Sequence, residues 1–131
     1  MALITVCGMP SGIDEIELVE LHNSLLLASR NPFFNINTIN DAVVQIVPNI
    51  VPGYSNSGLF IKVEGLIHAD PSDSAMTVRQ HLELMIGHIL RAACSFAASH
   101  LPDCEWVQII ANTVLGVTGH NFVKVEQPVM A

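Results

Sequence analysis

Twice along this sequence, a run of β-branched and apolar residues leads through a turn into an amphipathic helical stretch and on into a second apolar run. The first copy starts at once. Met1-Ala2-Leu3-Ile4-Thr5-Val6-Cys7 reads as a strand, and Gly8 with Pro10-Ser11-Gly12 breaks it. Ser11 and Asp14 stand at capping-box spacing, and Asp14, Glu15 and Glu17 suit the positive end of a helix dipole. Ile16, Val19 and Leu26, with Leu18, Leu21 and Leu25, predict a broad buried face. It stops at Arg30-Asn31-Pro32, because proline cannot continue a helix. Residues 41–47 read as the second strand, closed by Pro48.

The second copy repeats the order. Residues 59–67 form a strand, and Ser74 or Thr77 (with Gln80) caps a long helix. Val78, Leu82, Met85, Ile89, Ala93 and Phe96 mark its buried stripe, and Leu101-Pro102-Asp103 ends it. Residues 105–110 are a fourth strand, and Gly116 and Gly119 lead to a last short apolar stretch at 122–125.

A strand, a helix and a strand in succession put the two strands parallel, joined by a right-handed crossover. Two such units predict one α/β domain over residues 1–131, with a four-stranded mixed sheet and two helices on one face. The other face is then bare, and an apolar open face needs a partner. Composition points the same way. Half of the residues are hydrophobic and 13% are charged, yet no apolar run reaches the roughly 20 residues that span a bilayer. The surplus apolar surface is expected to meet further copies of the chain, not a membrane. A net charge of −7, with only Lys62, Lys124, Arg30, Arg79 and Arg91 positive, leaves no basic footprint for nucleic acid. Cys7, Cys94 and Cys104 form no paired motif, and the amino end lacks the basic start of a signal peptide, so a reduced, cytoplasmic setting is expected.

The double βαβ order, a strand at the very start and a layer of two helices together resemble the tautomerase superfamily. Within it the chain looks most like 5-carboxymethyl-2-hydroxymuconate isomerase. The residues that carry the likeness run from Leu25-Leu26-Leu27-Ala28 through Pro32-Phe33 to Ile39 and Val43, and from Phe60-Ile61-Lys62-Val63 through Ser74 to Arg79-Gln80. The resemblance implies a homotrimer, with the sheets packed around a common axis, a small organic acid as ligand, and no cofactor. It also implies a general base at the amino terminus. In the family this is a proline exposed by loss of the initiator methionine, its pKa lowered by an apolar pocket. It moves a proton between carbon atoms of an unsaturated keto or enol acid while arginines hold the carboxylates. Here Ala2 follows Met1, so the implied base is the Ala2 amine, and Arg79 is the motif-matched cation for substrate. Asp41-Ala42-Val43-Val44 and the positions of Pro71 and Ser72 carry no arginine where the isomerases have one. The alternative reading is a trimer that keeps the fold as a binding or structural protein without catalysis.

Other residues select less. His81 and His88 lie about two helical turns apart, too far for one ion without further ligands, and His22, His68, His100 and His120 are isolated, so no metal site is expected. Cys7 is expected to be a small buried thiol. Glu64, Asp70 and Glu105 sit at or near strand ends, with no spacing that marks any of them as a catalytic acid. Trp106 is expected in the core or at a subunit contact.

Overall fold

In the computed structural model, which describes residues 2–48, 58–68, 74–114 and 116–126, the alternation of apolar residues sets the sheet. Along β1 (Ala2–Met9), Ala2, Ile4 and Val6 point to one face and are fully buried, while Leu3, Thr5 and Cys7 point to the other and stay partly exposed. Leu59, Ile61 and Val63 do the same on β3 (Gly58–Leu66), and Val107, Ile109 and Ala111 on β4 (Trp106–Thr113). With β2 (Ala42–Pro48) and β5 (Thr118–Lys124) they form one sheet in the order β2-β1-β3-β4-β5. β1 pairs β2 in parallel and β3 pairs β4 in parallel, as two βαβ units require, and β1 meets β3 antiparallel. The sheet is therefore mixed. It carries one strand more than the four expected, because the last apolar stretch extends back to Thr118 and pairs antiparallel with β4.

Helix α1 (Glu15–Ser29) lies against β2, and α2 (Ala75–His100) against β4 and β5; the two helices pack side by side on one face. Asp14, not Ser11, caps α1, its side chain accepting a hydrogen bond from the Ile16 amide (3.1 Å). The buried side of α1 is narrower than the sequence suggests. Leu21, Leu25 and Leu26 are buried, but Ile16 and Val19 are 77% and 52% exposed. Ser74 caps α2, accepting from the Thr77 amide (3.2 Å), and every residue of the expected stripe from Val78 to Phe96 is buried, joined by Ile86, Leu90 and Ala97. By length and composition α2 is apolar enough to cross a bilayer, yet nine of its residues are buried within this chain.

Among the described residues, none forms a layer over the far face of the sheet. Leu3, Thr5 and Cys7 on β1, Phe60 and Lys62 on β3, Trp106 and Ile110 on β4, and Phe122 on β5 share it by register. Cys7 is thus half-buried rather than buried. Trp106 lies over Gly58, its in-register partner, and stacks on Phe122 with ring centroids 5.7 Å apart. Lys62 and Glu64, 3.5 Å apart and both about half exposed, form an ion pair of small weight on this face.

Candidate functional site

Because β1 runs parallel to β2 and antiparallel to β3, the end at which β1 begins also holds the start of β2 and the end of β3. The segment from α1 to β2 and the first turns of α2 converge on the same end. Ala2 sits there, wholly buried in a strand flanked by β2 and β3 and in register with Ala42.

The segment after Pro32 folds as a tight turn. The Asn31 amide donates to the Ile36 carbonyl (2.9 Å), the Phe34 amide to the Asn31 carbonyl (3.1 Å), and the Asn31 side-chain oxygen accepts from the Phe33 amide (3.0 Å). Phe34 and Ile36 point inward and are buried, which leaves Phe33 half-buried above them. Its ring stacks on His81 with centroids 3.8 Å apart and planes 10° from parallel. It also runs parallel to the ring of His68 at 6.1 Å and 13°, and it meets Phe34 edge-on at 5.1 Å. Asn35 locks the turn to the end of β3: its Nδ2 donates to the Gly65 carbonyl (3.2 Å) and its Oδ1 accepts from the Ile67 amide (3.0 Å). Gly65, at φ 78°, makes the bulge that carries the chain from β3 towards His68.

Asp41 closes this segment. Its Oδ2 accepts from the Thr38 and Asn37 amides, both at 2.9 Å, and these hydrogen bonds hold its carboxyl below the ordinary value. A carboxyl whose folded pKa is depressed contributes stability above its unfolded pKa, near 3.9, and loses it as pH falls through the folded value. Asp41→Asn should therefore lower the urea midpoint at neutral pH, with the deficit shrinking towards acid. A deficit independent of pH would contradict the assignment.

Arg79 stands in the second turn of α2 at this same end, exposed and without an ion pair among the described residues. It borders a shallow depression with Met76, Gln80 and Glu83. Residues two apart on a helix do not face each other, so Arg79 and His81 leave α2 on different sides, and the arginine does not join the Phe33–His81 stack. Asp70 lies outside the described residues. Glu64 is on the open face with Lys62, and Glu105 is exposed before β4. Among the described residues no three His, Cys, Asp or Glu side chains come together as a metal would need.

An enclosed cavity of about 220 Å³ lies at the opposite end, where β1 finishes and β3 starts. Ile13, Leu59 and Leu101 form apolar walls, and His100, Asp103 and Cys104 supply the polar groups. The His100 ring is engaged with Glu17 (3.3 Å) and Glu20 (3.8 Å) of α1. Burial pushes the Cys104 thiol up, and its Sγ donates to the Trp106 carbonyl (3.4 Å), so it is a poor nucleophile at neutral pH. These groups tie α2 to its neighbours, and we place the candidate site at the Ala2 end.

In the sequence His68 stands isolated, His81 is set only against His88 as a metal pair, and Phe33 enters only as one of the residues of the family likeness. The available signal was topological: in paired βαβ units the exit of α1, the exit of β3 and the entry of α2 share one end of the sheet.

No protein-family model matches the sequence, and no curated protein matches it significantly. Solved structures do. A native fused 4-OT tautomerase superposes with a TM-score of 0.56 at 15% identity, over 86% of each chain. A second fused 4-OT, solved as an asymmetric trimer, gives 0.57 at 12% identity over 86% of this chain and 85% of that one. The protein Pt0534, solved after inactivation by 2-oxo-3-pentynoate, gives 0.50 at 11% identity over 86% and 85%. Identities this low establish architecture alone. Two βαβ units in a mixed sheet with both helices on one face give this chain a tautomerase-like fold.

Proposed function

We propose that the chain is a small isomerase or tautomerase, related to 5-carboxymethyl-2-hydroxymuconate isomerase, that moves a proton within a keto or enol acid. The observation that carries the reading is the place of Ala2: fully buried, in a strand with a neighbour on each side, at the end of the sheet where the connections gather. Once Met1 is removed, the α-amine of Ala2 is the general base. An α-amine has an ordinary pKa of about 7.7–8.0, so a fraction of it is free base at neutral pH. The amine takes a proton from carbon next to the carbonyl, the electron pair moves onto the carbonyl oxygen as an enolate, and the ammonium returns the proton to the other terminus of the conjugated system as the carbonyl re-forms. Arg79 binds the substrate carboxylate. A keto acid suits this reading because a fold neighbour is inactivated by 2-oxo-3-pentynoate, itself a 2-keto acid. Self-association as a homotrimer covers the open sheet face, as the trimeric fused 4-OT suggests, and a cytoplasmic setting fits the three unpaired thiols.

The test is enol–keto interconversion of phenylenolpyruvate, followed by absorbance, with intact mass recording whether Met1 is present. Activity is expected in the chain that begins at Ala2 and should vanish when its amine is acetylated. Equal activity with Met1 retained would sink the amine-base mechanism. Activity that appears only in Ala2→Pro would mark the natural chain as a binding or structural relative. A monomer in sedimentation would remove the trimer.

A further inference from the structure

At the end of the sheet opposite Ala2, the ends of three elements leave a space between them. β1 finishes in a bulge at Gly8, whose φ of 90° lets the chain leave the strand for the turn at Ser11 and Gly12. α2 finishes at His100, and the Leu101 and Cys104 amides close the next turns by donating to the Ala97 and Leu101 carbonyls (2.9 and 3.0 Å). With the start of β3, these segments enclose the cavity of about 220 Å³. Buried Leu59 and Leu101 and half-buried Ile13 wall it, while Pro10 and Pro102 stand at its exposed mouth. Proline fixes its own backbone, so the mouth keeps its shape before anything enters.

The polar groups around the cavity are already engaged. Both ring nitrogens of His100 face carboxylates of α1, Glu17 at 3.3 Å and Glu20 at 3.8 Å. Cys104 Sγ donates to the Trp106 carbonyl (3.4 Å), and Asp103 is exposed at the rim. Water inside therefore meets few partners, and water so weakly held gives way to an apolar group. Charge narrows the choice further. Among the described lining residues there is no lysine or arginine, whereas Asp103 borders the cavity and Glu17 and Glu20 stand beyond His100. An anion is repelled. A cation would leave water for aliphatic walls, since the carboxylates lie at the exposed rim or against His100.

We infer that this cavity is a binding site for a small uncharged apolar ring compound of about the size of indole, packed between Ile13, Leu59 and Leu101. An apolar cavity of about 150 Å³ takes up benzene, so 220 Å³ has room for a second fused ring. A rigid ring also loses little freedom on entering a preformed space. The cavity and the Ala2 end lie at opposite ends of the sheet, and neither reading depends on the other.

Titration of the full chain with indole, followed by amide-resolved NMR, is the direct test. Indole-3-acetate and tryptamine serve as anionic and cationic counterparts with the same ring. Indole should give saturable shifts at amides 8–13, 58–59 and 100–104. Both charged analogues should bind at least about tenfold more weakly, because each forfeits hydration on entry. Ile13→Phe should fill the space, abolish indole binding and raise the urea midpoint, an effect that mere disruption of the turn would not produce. Asp103→Asn should bind indole as the natural chain does. The amide spectrum shows whether each variant is folded, and the ligand series on the natural chain needs no variant. No saturable shift with indole, equal or tighter binding of either charged analogue, or unchanged binding in a folded Ile13→Phe chain would each overturn the inference. So would shifts centred instead on 110 and 120–124, since that pattern is indole adhering to the uncovered face.

Discussion

Leu82→Ala is expected to cost about 3–4 kcal/mol in urea unfolding, towards the upper part of the range for leucine truncation in a core. The magnitude follows from how little the surroundings can give. Leu82 is fully buried beneath the sheet, and the residue above it on β5 is Gly119. A Cβ at Gly119 would lie 3.1 Å from Leu82 Cδ2 and 2.9 Å from Ile86 Cδ1, so these side chains already fill the space the glycine leaves. Once Leu82 is shortened, Gly119 has no side chain to move into the void, and the cavity stays open. Adding Gly119→Ala to the Leu82→Ala chain should recover part of the loss, whereas Gly119→Ala alone should destabilise. That reversal of sign is the signature of two residues sharing one volume. A loss below about 1 kcal/mol for Leu82→Ala would show that the layer between α2 and β5 collapses freely.

Gly58→Ala should be the second large effect, a loss of about 1–3 kcal/mol of the kind produced by overpacking. The new Cβ would stand 2.1–2.4 Å from three atoms of the Trp106 indole, at the fused rings and not at a flexible tip. The indole would have to lift off β3, and with it would go its stacking on Phe122. An aromatic side chain laid over a strand glycine is a known stabilising device in sheets, and here it works on the uncovered face. Trp106 is the single tryptophan, so its emission reports the displacement without interference. Unchanged emission together with unchanged stability would refute the contact. In the double variant with Trp106→Ala, the alanine at position 58 should cost little.

The order of elements was legible because it rests on periodicity, and periodicity survives without knowledge of neighbours. β1, β3 and the stripe of α2 lie where their apolar spacing puts them, since each is buried on a single well-defined side. α1 was harder. Leucines, isoleucine and valine occur all round it, so sequence could not choose a face, and Leu27 is 65% exposed while Leu26 is buried. β5 hid for the opposite reason. It is an edge strand of which only Gly119 is fully inside, and Thr118, His120 and Asn121 blur its alternation. At this end of the sheet, the apolar run that opens with Ala2 was enough to put that residue on β1. Phe33, His68 and His81 come together only through topology, from three elements whose spacing in sequence means nothing until β1 is known to run against β3.

The inner place of β1, between β2 and β3, has a consequence for synthesis. Of these five strands, β1 is made before the others, and it ends with a neighbour on each side, β2 on one and β3 on the other. When residues 2–48 have emerged, β2 can satisfy one side, but the other waits for Gly58–Leu66. During that interval Leu3 to Cys7 would offer an apolar strand with an unpaired row of backbone groups, a template for pairing with any other nascent copy. A chain released after its first half would keep that edge for good. The same strand that brings Ala2 to the gathering end of the sheet is thus the part whose safety depends on the second half arriving promptly.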